Sequence, residues 1–464
     1  MTTEPATVRT FLGHPRGLAY LAFTEMWERF SYYGMISLLL LYMVQELMLP
    51  GSIENVAGMD GLRRTLESMF GPLTAQQLGS QIFGFYGGLV FLTPIIGGWL
   101  ADRFFGTTRM VVAGVLLMTA GHFLMTFDQS FLIALLLLIV GSGALKGNIA
   151  SQVGQLYPPG EESRRSRGYL IFSTGINIGA LLGSLVCGVV AQIFGWHFGF
   201  GLAGLMMLVA LGVYLAGRRY LPAPPAPRKA TAPREPLRRE DRLTLVFIVL
   251  ILAIAAFGFT GWALAFNAGF IWTEAHVDLT TPLGAVPMAW FVSLDALMSI
   301  AAPISLIVLW RELARRGREP GDLTKIAIGF LLLGQCMLVF AFGALSAGDG
   351  RTNIIFPLIT FMLTGAGFMC AWPVILALVS RRSPPQVRAM MMGVAYLVAF
   401  ASSTFAGVLS GQYETMPPER FFLAMAVIPS VAGLVLLVIR SRLIRALDAN
   451  AQPIPTLSPM EQPA

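Results

Sequence analysis

Residues 24–35 read TEMWERFSYYGM, with the apolar stretch GLAYLAF before them and ISLLLLYMV after. Two carboxylates, Glu25 and Glu28, and one guanidinium, Arg29, therefore sit in a segment otherwise suited to lipid. Such groups can hold anions and exchange protons. Each charge at mid-bilayer costs about 2.5–3.5 kcal/mol even on insertion scales, so intramembrane ionisable groups mark solute pathways and proton relays. On a helix, Glu25, Glu28, Arg29, Tyr32, Tyr33 and Ile36 are linked by steps of three and four and form one stripe. One negative charge is left over on that stripe. Lys146, in IVGSGALKGNIASQVGQLY, is the other basic residue inside an apolar segment. The four groups balance at zero, which predicts that they meet in one polar cavity; the competing reading is an ion-pair network kept for structure. In the second half of the chain the mid-helix ionisable residue is Asp295.

The elements that hold these residues are apolar throughout. The 464 residues are 55% hydrophobic and 12% charged, against about 25% charged in a soluble domain. Apolar runs of about 20 residues or more fall near 17–45, 76–101, 107–127, 130–156, 167–194 and 197–216. Six more fall near 243–272, 284–310, 323–344, 354–380, 386–412 and 419–440, giving twelve spans. Between the sixth and seventh, GRRYLPAPPAPRKATAPREPLRREDR reads as a solvated linker. The expected division is a six-helix bundle over 1–216, a linker over 217–242 and a second six-helix bundle over 243–464. The first 16 residues lack the short apolar core and cleavage site of a removed signal peptide, so the first run is expected to remain as a span. The net charge of +7 is spread over short loops and not gathered in a patch, which argues against nucleic acid. Cys187, Cys336 and Cys370 lie within apolar segments and read as small buried hydrophobes, with neither disulfide nor metal spacing.

Orientation follows from Lys and Arg. The N-terminal tail, every second loop and the C-terminal tail hold 26 of the 32 basic residues, whereas the opposite loops hold Arg63, Arg64, Arg351 and Arg420. Both termini are expected in the cytoplasm of a bacterial-type inner membrane. Six plus six helices with a long basic central loop resemble the major facilitator superfamily, in which the substrate site lies between two halves that rock around it. GGWLADRFFGTTR at 97–109 resembles the loop signature of that superfamily. The resemblance implies that Asp102, with Arg103, helps latch the cytoplasmic side against a helix N-terminus of the other half. Arg103 and Arg109 read equally well as interfacial anchors.

ExxERFxYYG at 25–34 and GSGALKGN around Lys146 resemble signatures of the proton-dependent oligopeptide transporter family, as do FSTGINIGALLG at 172–183 and GWHFGFGLAG at 195–204. The resemblance implies import of di- and tripeptides, and in some branches other small solutes, together with protons. It implies that Arg29 and Lys146 hold a substrate carboxylate, with Tyr33 as hydrogen-bond donor and Tyr32 beside it, while Glu25 and Glu28 compete for the same cations. A glutamate that loses its counter-charge to the substrate binds a proton more readily, and by reciprocity its protonation frees the cations.

The second half resembles the family in VPMAWFVSLDALMSIAAPISLIVLW, REPGDLTKIAIGFLLLG and VRAMMMGVAYL, but departs at positions of function. The family's seventh helix carries Trp and, four residues on, Glu; here Trp262 is followed by Phe266. The Arg that pairs with that Glu in YYGMR is Ile36 here. Losing both partners can be near neutral where losing one strands a charge, so Ile36 and Phe266 are expected to pack as an apolar periplasmic gate. In GFMCAWP, Phe368 stands where the family has a Glu that grips a peptide amino terminus, with Trp372 four residues on. Ala395 replaces a pocket Trp, and Phe91 a Tyr. Asp295, in SLDA, replaces an Asn of SLNP. It is expected either to bind a substrate amine together with Asn177, to act as a second proton site, or to be hydrogen-bonded for structure.

No phosphate loop, nucleophile elbow or metal motif appears. The sequence thus leads to an all-α membrane protein of twelve transmembrane helices. It is expected to be no enzyme, with protons as coupling ion and neither cofactor nor metal. Its expected partners are a small peptide-like solute and the lipid bilayer, with no nucleic acid or obligate protein partner. The alternatives are a symporter of a non-peptide carboxylate, or a solute sensor without transport.

Overall fold

A chain this apolar must close its backbone hydrogen bonds within each span, and helices do so. The computed structural model of the chain describes residues 10–449, except 159, 223–236, 283, 349 and 385. Helix α1 (Arg16–Tyr42) ends in a π-type turn, Met43–Leu47. The short amphipathic α2 (Met59–Phe70) leads to α3 (Ala75–Leu100), whose start is fixed by a capping box between Thr74 and Gln77. The first half continues with α4 (Thr107–Leu124), α5 (Phe131–Gln155), α6 (Glu162–Phe194) and α7 (Trp196–Gly217). Most of the expected linker lies outside the described residues.

The seventh span is three pieces, α8 (Arg239–Gly258), α9 (Thr260–Ala265) and α10 (Ala268–His276). The remaining spans are α11 (Trp290–Arg315), α12 (Asp322–Ala347), α13 (Ile355–Arg382), α14 (Arg388–Ser410) and α15 (Pro418–Ala449). Among the described residues, eleven spans are long and apolar enough to cross a membrane by composition. α1, with 27 residues, is the twelfth; any 18-residue stretch of it includes Glu25, Glu28 and Arg29.

Two boundaries differ from the apolar pattern. The run expected at 243–272 breaks at Phe259 and at Phe266–Asn267, where Asn267 adopts φ −117°, ψ −98° and its Nδ2 donates to the Ser80 carbonyl at 3.0 Å. The eighth span begins at Trp290 instead of near 284. There Gly284–Ala285 pairs with Thr280–Thr281 in a small hairpin, and Pro287 cannot supply a helical N–H.

Alternate crossings place the start of α1, the end of α7, the start of α8 and the end of α15 at one end, here called the linker end. Seven described hydrogen bonds join the two halves, and all involve their opposite, far side. Thr74 Oγ1 donates to Glu414 Oε2 at 2.5 Å, Gln76 to the Ser410 carbonyl at 3.1 Å and Gln77 to the Gly411 carbonyl at 2.8 Å. Asn267 reaches Ser80 as above, while Gln192, Trp290 and Ser293 bond the carbonyls of Ala285, Leu185 and Leu181. At the linker end the turn Ala101–Phe105 exposes Asp102 and Arg103. Among the described residues neither makes an ion pair or hydrogen bond to the second half. The structure is therefore tied shut at the far end, and its cytoplasmic-latch candidates are disengaged.

Within the first half, α1 lies against α6 at backbone distance. A β-carbon at Gly179 would lie 2.1 Å from the Met26 carbonyl oxygen, and one at Gly183 2.2 Å from that of Phe30. Small residues of this kind let membrane helices approach and pack. We expect Gly179→Val to cost roughly 1–3 kcal/mol by overpacking, seen as a lower melting temperature of the purified protein in detergent. Gly212→Val, at a position with open space around it, should leave the melting temperature unchanged.

Candidate functional site: a central cavity beside buried charges

The helical spacing read from the sequence places Glu25, Glu28 and Arg29 together on the buried face of α1, at 3%, 0% and 8% exposure. Arg29 Nε donates to Glu25 Oε1 at 2.9 Å and lies 2.8 Å from Glu28 Oε2. One guanidinium thus faces two carboxylates. Glu25 Oε2 and both Glu28 oxygens have no hydrogen-bond partner among the described residues. The close contact with α6 holds the cluster in place, since the Gly179 position abuts Arg29 Cβ.

Lys146 comes from α5, which is set against α3 by another tight approach. A β-carbon at Gly143 would lie 2.6 Å from Thr93 Cβ. Thr93 Oγ1 also donates to the Ile139 carbonyl at 3.0 Å, and Asn148 Nδ2 to that of Gly97 at 3.3 Å. The ammonium does not join the carboxylates: no carboxylate oxygen lies within 4.0 Å of it among the described residues. Instead Lys146 Nζ sits 4.3 Å from the centroid of the Tyr32 ring and 5.7 Å from that of Phe91. Arg29 Cζ lies 5.9 Å from the same Tyr32 ring. Both cations therefore lie over the same aromatic ring, an arrangement worth about 0.5–2 kcal/mol per cation.

A cavity of about 590 Å³ lies between the halves, within the range of small-molecule sites. The first half contributes Tyr32, Tyr33, Ile36, Phe91, Ser173 and Asn177 to its lining. The second half contributes Phe259, Trp262, Phe266, Asn267, Asp295, Ser299, Phe368, Trp372 and Tyr396. Its aromatic side chains form one connected group. Trp262 packs on Phe266 at 5.3 Å and on Phe368 at 5.4 Å, Phe368 lies near-parallel to Trp372 at 5.9 Å, and Trp372 meets Tyr396 edge-on at 5.6 Å.

Among the described residues, Asp295 is the one Asp, Glu, Lys or Arg in this lining. No cation lies within ion-pair distance of it among the described residues, and its Oδ1 has no hydrogen-bond partner. The indole N–H of Trp262 faces the carboxylate without closing a hydrogen bond. Gly365 of α13 makes room for it, since a β-carbon there would lie 3.3 Å from Asp295 Oδ1.

Of the residues singled out from sequence, Tyr32, Tyr33, Asn177, Trp262, Asp295 and Trp372 line the cavity, and so do Ile36 and Phe266. Arg29 and Lys146 are outside the lining, with the Tyr32 ring against both. None of the four charges lines the cavity: Glu25 and Glu28 pair with Arg29, and Lys146 rests on Tyr32. The far-end closure described above runs through Gln76, Gln77 and Asn267, whereas Phe266 packs on Trp262 and Phe361. Ala395 is fully buried away from the cavity, and the pocket side chain at that place is its neighbour Tyr396. Asn267 joins the lining as well, and its signal in the sequence is a lone amide interrupting an apolar run.

The chain matches the family model described as Major Facilitator Superfamily over residues 21–408. It is 30% identical to the uncharacterized transporter YclF of Bacillus subtilis (strain 168), over 94% of this chain and 96% of that protein. It is 28% identical to a di-/tripeptide transporter of Lactococcus lactis subsp. cremoris, over 95% and 98% respectively. Among solved structures, a mutant of the peptide transporter POT in complex with alafosfalin is similar, with a TM-score of 0.82 at 28% identity, covering 95% of this chain and 97% of that one.

The two charge sites should respond to substitution in opposite ways. Arg29→Met leaves two buried carboxylates without their cation, a change of roughly 3–5 kcal/mol, and should abolish or strongly lower the folded yield. Asp295→Asn removes a charge that has no partner, and should hold or raise the melting temperature. Thermal unfolding of both variants in one detergent checks the pair.

Proposed function

The chain belongs to the major facilitator superfamily and, within it, to the proton-dependent oligopeptide transporter family, and from that premise we propose that it imports small zwitterionic solutes, di- and tripeptides first among them, by alternating access coupled to protons. The observation that carries the reading is the uneven sharing of charge beside the cavity. Glu25 and Glu28 share Arg29, while Lys146 rests on Tyr32 with no carboxylate in ion-pair reach among the described residues. A substrate carboxylate in the cavity competes for these cations once the Tyr32 ring gives way. The glutamate that loses its counter-charge then takes a proton, and a glutamate already protonated releases the cation to the substrate. Coupling in this scheme needs only side chains and protons.

The linker end is assigned to the cytoplasm of a bacterial-type inner membrane, because the N-terminal tail and the loops and tail on its side hold 26 of the 32 basic residues. On that assignment the structure is closed toward the outside. Asp102 and Arg103 would engage the second half only when the cytoplasmic side closes. A second reading, a non-peptide carboxylate as cargo, is favoured by Phe266 and Phe368. These place rings in the cavity wall where the family resemblance implies acidic groups.

The test is reconstitution in liposomes containing a pH-sensitive dye, with dialanine added outside under an inward-negative potential. Internal acidification that Glu25→Gln abolishes is the expected result. No acidification with dialanine, in liposomes that respond to another carboxylate, would establish the second reading instead.

A further inference from the structure

We propose that the second-half wall of the cavity is a cage for an alkylated ammonium group, so that the preferred solutes carry a tertiary or quaternary amine at the pole opposite their carboxylate. The inference rests on the importer reading for the carboxylate pole and supplies the chemistry of the other pole.

The rings come from three spans and do not form a flat stack. Phe368 and Trp372 lie 28° apart, while Phe259 and Tyr396 stand at 78° and 70° to Trp372. Trp262 meets Phe266 at 62°. Phe259, Trp262, Phe266, Phe368, Trp372 and Tyr396 thus line one side of the cavity at differing tilts. Into the same cavity the second half brings one carboxylate, Asp295, free of any described cation in ion-pair reach and with an oxygen lacking a hydrogen bond.

A primary ammonium brings three N–H donors, and each one buried without an acceptor is penalised. Indole, phenyl and phenol faces are poor acceptors, so this wall serves such a group badly. An alkylated ammonium presents methyl groups where the primary amine presents donors. It spreads its charge over those methyls, gains from ring faces on several sides, and needs one nearby anion to balance it. A wall of rings with one carboxylate suits that group. Substitution of an acidic side chain by Phe368 is then a change of recognition chemistry from a hydrogen-bonding acceptor to an aromatic face.

The experiment uses the full chain in the same liposomes. Dialanine uptake is competed by unlabelled dialanine and by its N,N,N-trimethyl derivative, and binding of both is read independently by tryptophan fluorescence of the purified protein. The expected result is half-inhibition by the trimethyl derivative at a concentration about tenfold lower than by dialanine. Phe368→Leu and Trp372→Leu, each checked for folding by its melting temperature, should bring that ratio toward one. Dialanine competing as well as or better than its trimethyl derivative overturns the cage while the importer stands. Failure of both solutes to bind or drive proton flux overturns the cage and the peptide reading together.

Discussion

Ionic groups at bilayer depth must find their partners inside the protein, and the fold of the first half is arranged around that requirement. Removing two carboxylates and a guanidinium from water carries a desolvation penalty that only close, well-aimed pairing offsets. Arg29 meets both glutamates within 3 Å because steps of three and four on α1 put them on one face. That face stays buried because Gly179 and Gly183 let α6 come to within contact of the α1 backbone. A bulkier residue at either glycine would push the charges toward lipid. The second cation needs a different solution, and it finds one in the Tyr32 face, which neutralises nothing but lowers the cost of holding Lys146 near Arg29.

The two halves then divide the chemistry of the cavity. The first half presents tyrosines and an asparagine, with charge stored behind Tyr32. The second half presents a surface of rings with Asn267, a few serines and one carboxylate that has no described cation in ion-pair reach. The ties that close the far end are of a third kind, amides and hydroxyls donating chiefly to backbone carbonyls. Each such bond is worth about 0.5–1.5 kcal/mol net, and water can replace the partner when it parts. Closure of this kind holds a conformation without trapping it, as alternation between two access states requires.

Much of this was legible in the residues. Twelve spans follow from apolar length, and the charged stripe on the first follows from helical spacing, because both depend on near neighbours in sequence. The apolar pattern alone makes the seventh span one helix and starts the eighth too early. Apolarity does not report where Asn267 will prefer the Ser80 carbonyl to its own helix, nor that Gly284 and Ala285 will pair with Thr280 and Thr281. The amphipathic α2 is not legible in the apolar pattern, because 12 residues of mixed polarity carry no membrane signal. Charge balance correctly brought Lys146 into the neighbourhood of Glu25, Glu28 and Arg29 but could not tell an ion pair from a cation resting on a ring.

By itself, the sequence determined the class of the molecule and the inventory of its centre. It is a helical membrane chain in two halves, with two glutamates, an arginine and a lysine in one half and a solitary aspartate in the other. Composition and helical periodicity suffice for that, since lipid forces helices and leaves few places for charge. Only the tertiary structure decided the partition. It put Tyr32 between the cations and the cavity, gathered Trp262, Phe368, Trp372 and Tyr396 from three spans around the space beside Asp295, and left Asp102 and Arg103 exposed. Those outcomes depend on how helices far apart in sequence meet, through side-chain shape at each crossing, which no local pattern encodes.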